Sequence, residues 1–490
     1  MDSAPVGGAG SRPSLAIAPP DIMFRGRLWT SAELVERASA YRATLDRVVA
    51  DTVPLVAMVM SNHVDAVALF FALSAGRVPV LLLPPDPKGW QTSPPVPTGT
   101  PLVLTPDVAA LERHGLALGL AVTVMGNSQQ PVGGPPPAFM SGPAVVFLTS
   151  GSTGAPRPVC RTLASLVAAS SALARLVTLA DEAAVLATLP LDRSFGMNNG
   201  LVLASLLRRT LGLLDRFDHN DVLDLCAERR YGYWAGTPVM ADLLGRAARP
   251  GTHSVPDVCV FAGRLSARTF ETFVRRYGVP LRQMYGTTET LTVSVDLAPA
   301  DQVRFDTAGV PMPGVDVRIG ASPDEPARPG ESGRVWVRTP WGMTGYGFAP
   351  EQAGSAGSDT WWASPDVGLL DVEGRVTLTA RTDDLVRSAS GHILNPGGIA
   401  RVLDACAGVN GSAVVAISNF DGGALGALVE GEASLRASEL RAALARALPG
   451  WAQPRTVRVV ERLPRLATGR VDRRACAVLL EAPAFAEERG

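Results

Sequence analysis

Lysine is almost absent from this 490-residue chain. Lys88 is the single lysine among 45 basic side chains, and all the others are arginines. Chemistry that usually depends on a lysine ammonium group must therefore use arginine here, whose planar guanidinium presents its charge differently. The 46 acidic side chains bring the net charge to −1, so no sequence-wide field attracts nucleic acid or an anionic membrane surface.

Cysteine and histidine are also sparse, with five residues of each. They form neither a CxxC pair nor an HExxH motif, which argues against a disulfide scaffold or a zinc site and favours reduced thiols in a cytoplasmic protein. The N-terminus has no apolar core of signal-peptide length. The most apolar stretch, residues 64–84, is broken by Asp65, Arg77 and Pro79, so we predict a helix and a buried strand there and no membrane span.

Hydrophobic residues make up 47% of the chain and charged residues 19%, which is enough to build large cores. From about Thr30, helical and strand-like segments alternate. A helix capped by Ser31 precedes the strand PLVAMVM, and a helix ending at Gly76 precedes the strand VPVLLLP. Such alternation predicts a parallel sheet that is covered on both faces.

The segments after about Val310 are shorter and rich in strands and turns, and a small α+β unit follows Asp383. The predicted fold class is therefore α/β. We expect a large N-terminal domain of layered α/β sheets over residues 1–382, which includes a β-rich subdomain over about 310–382. A small C-terminal α+β domain is expected over residues 383–490.

The first candidate site is a run of hydroxyl residues and glycines directly after the strand-like run AVVFL. The glycines let the backbone approach a ligand closely, and the hydroxyls are donors suited to phosphate oxygens. It is not a Walker loop, because GxxxxGK[ST] cannot be matched and Arg157 lies three residues beyond the last glycine. A solvent-exposed turn would have the same composition. The candidate residues are Thr149, Ser150, Gly151, Ser152, Thr153 and Gly154.

The second candidate site follows the strand-like run LRQMYG. A carboxylate that lies shortly after a turn glycine, beside hydroxyls, can hold Mg²⁺ through oxygen while the hydroxyls meet a phosphate. The alternative is a strand-to-helix turn in which the acidic residue lies in the first helical turn and favours the helix dipole. The residues concerned are Tyr285, Gly286, Thr287, Thr288 and Glu289.

Two further candidates lie towards the C-terminus. Asp366, expected in a turn, could hold the paired hydroxyls of a ribose, and Arg381 after the next strand could reinforce it; the alternative is a hairpin whose charges are solvated. Near the end, the segment LPRLATGRVDRRAC carries Arg470 at a turn, which could equally be a solvated basic turn.

The order and spacing of these motifs resemble the adenylate-forming superfamily of acyl-CoA synthetases, peptide-synthetase adenylation domains and luciferases. The resemblance extends from roughly Trp29 to Leu480 and rests on TSGSTGAPRPV, YGTTE, SPDVG, ARTDD with SGHILNP, and LPRLATGR. It implies two half-reactions. A carboxylate first attacks the α-phosphate of ATP to give acyl-AMP and pyrophosphate, and a thiol then attacks the mixed anhydride after the small domain rotates.

The resemblance also implies roles for individual residues. The loop from Thr149 to Gly154, with Arg157 in the place of a family lysine, would hold the β,γ-phosphates of MgATP. Tyr285 would stack on adenine, with Gly286 and Thr287 beside it in the motif, and Gly263 would lie in the adenine-facing loop. The expected catalytic residues are Thr288 at the α-phosphate, Glu289 on Mg²⁺ and Arg470 between the carboxylate and the α-phosphate.

The remaining implied roles concern the ribose, the hinge and the thiol. Asp366 and Arg381 would bind the ribose hydroxyls, and Asp383 would be the hinge of a mobile C-terminal domain. Gly391 would line the pantetheine path. No carrier-protein segment follows, so the thiol is expected from coenzyme A or from the phosphopantetheine of a free-standing carrier protein.

Several positions depart from the family pattern. Arg470 and Arg157 replace lysines, Gly398 stands where a glutamate is expected, and the loop around Gly263 reads FAGRLS. The general replacement of lysine by arginine accounts for the first two, but the set as a whole leaves open an attenuated homologue that binds nucleotide without turnover.

The acid is expected beside the segment PLDRSFGMNNG, where Asp192, Arg193 and Phe195 are the candidate substrate residues. Arg193 could recognise a second carboxylate. Alternatively, Asp192 could bind the α-ammonium of an amino acid, or the two side chains could pair with each other or with solvent. The sequence thus predicts an ATP- and Mg²⁺-dependent acid–thiol ligase for a small carboxylic acid, with an amino-acid-activating enzyme as the alternative.

Overall fold

The computed structural model describes most of the chain. The described residues are 17–48, 55–76, 78–85, 101–104, 121–124, 144–149, 157–247, 254–347, 360–382, 385–387, 393–417, 424–431, 434–465 and 471–482. The predicted residues Ser150, Gly151, Ser152, Thr153, Gly154, Asp383, Gly391 and Arg470 lie outside these ranges.

The strands are numbered in chain order. The first fifteen are β1 Ile22–Phe24, β2 Arg27–Trp29, β3 Val56–Val59, β4 Val80–Leu83, β5 Pro101–Leu104, β6 Ala121–Val124, β7 Ala144–Leu148, β8 Pro158–Thr162, β9 Ala184–Ala187, β10 Leu211–Leu213, β11 Tyr231–Gly236, β12 Val258–Ala262, β13 Leu281–Thr287, β14 Leu291–Val295 and β15 Val310–Pro311. The others are β16 Asp316–Ser322, β17 Glu325–Pro326, β18 Gly333–Arg338, β19 Gly345–Tyr346, β20 Trp362–Leu370, β21 Val376–Arg381, β22 Val386–Arg387, β23 Ile393–Leu394, β24 Val409–Ile417, β25 Ala424–Gly431 and β26 Thr456–Val460.

The helices of the described part are numbered in the same way. They are α1 Ser31–Val48, α2 Val64–Ser74, α3 Leu163–Ala174, α4 Ser194–Gly196, α5 Leu203–Leu207, α6 His219–Glu228, α7 Pro238–Arg246, α8 Ala267–Tyr277, α9 Pro396–Asp404, α10 Ala437–Ala447 and α11 Arg473–Glu481. A π-helical segment, Met197–Val202, joins α4 to α5. Among the described residues no helix combines the length and the apolar character that a membrane crossing requires.

Two large sheets build the N-terminal part and confirm the predicted α/β class. One has nine strands in the order β15-β14-β13-β12-β11-β9-β10-β1-β2, and the other has seven in the order β19-β8-β7-β4-β3-β5-β6. The central strands of both sheets run parallel. Parallel strands are buried on both faces, which explains why β3, β4 and β7 are uninterrupted apolar runs. Side chains from both sheets meet in the main hydrophobic core.

The start of helix α1 corrects one expectation. Thr30, and not Ser31, caps this helix: the Thr30 hydroxyl accepts the Glu33 backbone N–H at 3.2 Å, and the Glu33 carboxylate accepts the Thr30 N–H at 2.7 Å. This is a capping box, which satisfies two backbone donors that would otherwise have no partner at the first turn.

Three smaller sheets follow in the described part of the chain. The antiparallel sheet β17-β16-β18-β20-β21 spans residues 316–381, β22 pairs with β23, and the three-stranded sheet β24-β25-β26 packs against α9, α10 and α11. Asp366 lies inside β20, so its expected position in a turn was wrong. Strand β25 was not predicted, because its sequence ALGALVEG has two glycines and no β-branched run.

Candidate active site

The YGTTE motif forms the tip of a β-hairpin. Strand β13 ends at Thr287, β14 begins at Leu291, and the two strands pair antiparallel. Thr287 and Thr290 close the turn, since each hydroxyl accepts the backbone N–H of the other residue and the two hydroxyl oxygens are 3.0 Å apart. Glu289 therefore lies in a hairpin turn. The alternative that placed it in the first turn of a helix was wrong.

Arg161, on β8, hydrogen-bonds to the main chain of this turn. Its side chain is fully buried, and Nη2 donates to the carbonyl oxygens of Thr288 at 2.6 Å and Glu289 at 2.9 Å. Nη1 donates to the Trp341 carbonyl at 3.0 Å and the Ser165 hydroxyl at 3.1 Å. Burial lowers the pKa of Arg161 to about 9, opposed by the Glu289 carboxylate, so the guanidinium remains charged at neutral pH.

Sequence reasoning missed Arg161. Its one signal is an arginine that follows the apolar residues PVC of β8 and precedes Thr162, the N-cap of α3. A charged residue in such a strand is almost never fully buried unless it is paired. The sequence does not show which carbonyl groups it meets, because these lie more than one hundred residues away along the chain.

One of the two oxygens of the Glu289 carboxylate accepts a hydrogen bond. Its Oε1 accepts the Tyr346 hydroxyl at 2.9 Å, and the Tyr346 pKa is raised by burial and by the Glu289 charge. No hydrogen bond from another described residue reaches Oε2. The described residues form no group of three side chains that could bind a metal. A single carboxylate that faces substrate phosphates is nevertheless a common way to bind Mg²⁺, so the Glu289 turn fits such an ion.

At the base of the same hairpin, Tyr285 meets the acidic residue of β20. The Tyr285 hydroxyl donates to Asp366 Oδ2 at 2.9 Å, and the Ser364 hydroxyl donates to the same oxygen at 2.8 Å. Burial, and then the Asp366 charge, raise the Tyr285 pKa well above its usual value. Arg381 lies directly opposite Asp366 on β21, and its buried Nε has no partner among the described residues. The structure thus brings Tyr285, Asp366 and Arg381 together.

Two described residues border the predicted phosphate loop. The Thr149 backbone N–H donates to the Arg157 carbonyl at 3.0 Å, and the Arg157 N–H donates to the Thr149 hydroxyl at 3.2 Å. Thr149 directly follows β7 and Arg157 directly precedes β8, so adjacent antiparallel strands hold both ends of the segment. Gly263, which follows β12, has a φ of +123°, a conformation that L side chains rarely adopt.

Asp192 and Arg193 pair with each other, as one of the three interpretations expected. Arg193 Nε lies 3.1 Å from Asp192 Oδ2, and Arg193 Nη1 donates to the Leu148 carbonyl at 2.9 Å, at the end of β7. Burial raises the pKa of Asp192 to about 6, which the Arg193 charge opposes. The next residue, Ser194, donates its hydroxyl to Thr288 Oγ1 at 3.3 Å, and Phe195 packs half-buried against the main core.

Comparison with known proteins gives the family. A model of the AMP-binding enzymes matches residues 102–347. The chain is 27% identical to an indoleacetate–CoA ligase of Aromatoleum aromaticum, over 71% of this chain and 69% of the relative. It is also 27% identical to a 2-succinylbenzoate–CoA ligase of Geobacillus kaustophilus, over 91% and 92% of the two chains.

The fold agrees with solved structures of that family. ATP-bound MatB from Rhodopseudomonas palustris superposes with a TM-score of 0.77 at 22% identity, over 95% of this chain and 97% of that one. The o-succinylbenzoate–CoA synthetase of Bacillus subtilis, in complex with its acyl-adenylate intermediate, superposes with a TM-score of 0.72 at 20% identity. The protein belongs to the AMP-binding enzymes, the adenylate-forming family that includes the acyl-CoA ligases.

Proposed function

We propose that the protein uses ATP and Mg²⁺ to activate a small carboxylic acid as acyl-AMP and then transfers the acyl group to a thiol. The observation that carries the proposal is the arrangement along one hairpin. Glu289 lies at the tip, with one carboxylate oxygen that accepts no hydrogen bond from a described residue, and Tyr285 at the base contacts Asp366. A nucleotide along β13 would meet a ribose-binding acid at one end and a cation-binding acid at the other.

In the first half-reaction, a carboxylate oxygen of the acid forms a bond to the α-phosphorus while the bond from that phosphorus to the pyrophosphate oxygen breaks. The chain must bring two anions together and stabilise the charge that spreads over the phosphoryl oxygens. We assign Glu289 to Mg²⁺, which would screen that charge, Thr288 to the α-phosphate, and Arg470 to the incoming carboxylate.

The other nucleotide contacts are assigned in the same way. We propose that the loop from Thr149 to Gly154, with Arg157, holds the β,γ-phosphates. Asp366 and Arg381 would bind the ribose; the second oxygen of Asp366 and the partnerless Nε of Arg381 support this assignment. Tyr285, Gly286, Thr287 and Gly263 would lie around the adenine.

The acid is proposed to be a carboxylic acid without an α-amino group. A buried aspartate can hold a substrate ammonium group only if its carboxylate is available, and the Asp192 carboxylate already pairs with Arg193. The Arg193 side chain is 42% exposed, so it can offer further donors to an acidic or polar tail of the substrate. Related CoA ligases act on indoleacetate and 2-succinylbenzoate, which are also acids without an α-amino group.

For the second half-reaction we propose coenzyme A, or the phosphopantetheine of a free-standing carrier protein, as the thiol. Residues 383–490 would rotate about Asp383, and Gly391 would then line the pantetheine path. In the described arrangement Arg264, after β12, forms an ion pair with Asp404 at the end of α9. Such a rotation would have to break this pair.

ATP–pyrophosphate exchange with a panel of carboxylic acids and amino acids tests the proposal. We expect exchange with at least one carboxylic acid, none with amino acids, and a thioester after coenzyme A is added. Exchange with an amino acid alone would favour the amino-acid-activating alternative. If no acid supports exchange, and Arg470→Lys creates none, the chain is an attenuated homologue and not a ligase.

A further inference from the structure

We propose that Arg161 is a positioning residue that sets the orientation of the Glu289 carboxylate and thereby the affinity of the site for Mg²⁺. The inference rests on the proposed function, because it takes Glu289 as the residue that binds the ion. Arg161 is fully buried and its hydrogen bonds all go to protein oxygens, so we assign it no direct contact with the nucleotide or the metal. It acts on the main chain of the turn, through the two carbonyl groups of Thr288 and Glu289.

The guanidinium joins three segments that are distant in sequence. Besides the two turn carbonyls, Arg161 bonds the Trp341 carbonyl, which precedes β19, and the Ser165 hydroxyl in the first turn of α3. Strand β19 carries Tyr346, whose hydroxyl meets the Glu289 carboxylate, and the Met343 N–H donates to the Glu289 carbonyl at 2.8 Å. One buried side chain thus ties together the turn and the segment that contacts its carboxylate.

The geometry requires an arginine at this position. Nη1 and Nη2 of the guanidinium each donate to two oxygens, and these donors lie in one fixed plane. An ammonium group has its three donors on a single atom, so it cannot span the same acceptors. The shortage of lysine in the whole chain therefore does not explain Arg161, although it explains Arg157 and Arg470. Burial of the charge is tolerated because four oxygens surround it and the Glu289 carboxylate lies close.

Removal of Arg161 would leave two turn carbonyls and the Trp341 carbonyl without this donor. The turn would keep the Thr287 and Thr290 side chains that close it, and the Met343 N–H and Tyr346 hydroxyl on Glu289, but it would lose its direct hydrogen bonds to β8. Residues that orient a metal-binding carboxylate typically contribute about 10- to 100-fold to metal affinity. We expect a loss of that size.

Arg282, on β13, provides a matched control. It too is an arginine whose pKa is lowered by burial and whose Nη1 donates to two main-chain carbonyls, those of Asp296 at 3.3 Å and Ala298 at 2.6 Å. The Nε atoms of both arginines have no partner among the described residues. Arg282 holds the opposite end of the hairpin, so its loss should reduce stability without acting on Glu289.

The test compares Arg161→Lys, Arg161→Met and Arg282→Met in the full chain. The readouts are the Mg²⁺ concentration at half-maximal ATP–pyrophosphate exchange, calorimetric binding of ATP with and without Mg²⁺, and the thermal midpoint. We expect both Arg161 variants to need about 10- to 100-fold more Mg²⁺, while binding of metal-free ATP and the KM of the acid change less than about twofold. Arg282→Met should lower the thermal midpoint and leave the Mg²⁺ requirement within about twofold.

The outcomes separate the two proposals. If the wild-type protein shows no exchange, the proposed function fails whatever the variants do. If the wild-type protein is active and the Arg161 variants shift the Mg²⁺ requirement no more than Arg282→Met does, Arg161 is only structural and the inference fails. If Arg161→Met does not fold, Arg161→Lys decides, because it retains the charge and most of the volume and loses only the planar set of donors.

Discussion

The two ends of the β13–β14 hairpin each contain an arginine and an acidic residue, but the two acidic residues differ in their hydrogen bonds. At each end an arginine donates to main-chain carbonyls, Arg161 at the tip and Arg282 at the base. Both oxygens of Asp296 at the base accept a backbone donor, the N–H of Ala298 at 3.1 Å and the N–H of Arg304 at 3.2 Å. Glu289 at the tip accepts one hydroxyl, that of Tyr346.

This difference separates an acid that holds the fold from an acid that can hold a ligand. A buried carboxylate such as Asp296, with a backbone donor on each oxygen, stabilises a loop and has less acceptor capacity left for a cation. A carboxylate that is oriented but only partly satisfied retains that capacity, and its orientation must then come from the groups around it. At the tip these groups are Arg161, which donates to the Glu289 carbonyl, and Tyr346, which donates to the Glu289 carboxylate.

The largest effect is expected for Glu289→Gln. The amide keeps the shape of the side chain and an oxygen for the Tyr346 hydroxyl, but it lacks the charge that favours Mg²⁺. We expect exchange to fall by about 100-fold or more, with little change in thermal midpoint. A variant that retains more than a third of wild-type exchange at low Mg²⁺ would show that Glu289 does not hold the ion.

At the other end, Asp296→Asn should act on stability alone. The variant replaces one charged acceptor oxygen by an amide nitrogen, so either the Ala298 or the Arg304 N–H loses its bond. We expect a loss of about 1–3 kcal/mol in the free energy of unfolding, measured by urea denaturation. Exchange measured well below the unfolding transition should stay within about twofold, and a larger loss would mean that the two ends of the hairpin are not separable.

Asp192 is a third kind of acid, buried and paired, and it predicts a dependence of stability on pH. Burial raises its pKa to about 6 from 3.8, so the folded state holds a proton that the unfolded state has already released between these values. Its contribution to stability is therefore complete below about pH 4, falls as the pH rises to 6 and stays constant above that. We expect the wild type to lose on the order of 3 kcal/mol relative to Asp192→Asn over this range.

Urea denaturation of both proteins at several pH values between 4 and 7 measures that difference. Because all other titrating groups are shared, subtraction isolates the contribution of Asp192. The opposite slope, in which the wild type gains stability relative to the variant as the pH rises, would mean that the Arg193 charge outweighs burial. Asp192 would then resemble an ordinary ion-paired carboxylate.

The smallest effect is expected for Tyr346→Phe, which removes the hydroxyl from the Glu289 carboxylate and leaves the Arg161 contacts in place. One hydrogen bond of this kind is worth about 0.5–1.5 kcal/mol, so the Mg²⁺ requirement of exchange should rise by about two- to tenfold. A shift larger than that of Arg161→Met would place the main orienting contact at Tyr346 instead.

The sequence predicted much of the fold, because buried parallel strands appear as short apolar runs and amphipathic helices show their own period. It was wrong where local composition and tertiary contacts disagree. Asp366, in the segment SPDVG, was expected in a turn, yet it lies in β20, where the Tyr285 and Ser364 hydroxyls donate to its buried carboxylate. One of the two interpretations of Glu289 placed it at the start of a helix, but the strands on either side of it pair with each other.

For the site, the motifs assigned Tyr285, Asp366 and Arg381 to one nucleotide, and the structure places Tyr285 against Asp366 with Arg381 opposite on β21. It could not predict how they are held. Arg161 has no motif of its own, and its partners are carbonyl groups, which every residue carries. The availability of a carboxylate, such as that of Asp192 or Glu289, likewise depends on neighbours that only the folded chain supplies.

A crystal structure with Mg²⁺ and a non-hydrolysable ATP analogue would show where the ion and the nucleotide bind. We predict a metal ion about 2.0–2.1 Å from a Glu289 carboxylate oxygen. We also predict the ribose hydroxyls on Asp366, with the Arg161 contacts to the turn unchanged. A nucleotide bound away from β13, or a metal ion held without Glu289 while its carboxylate contacts only Tyr346, would contradict this prediction.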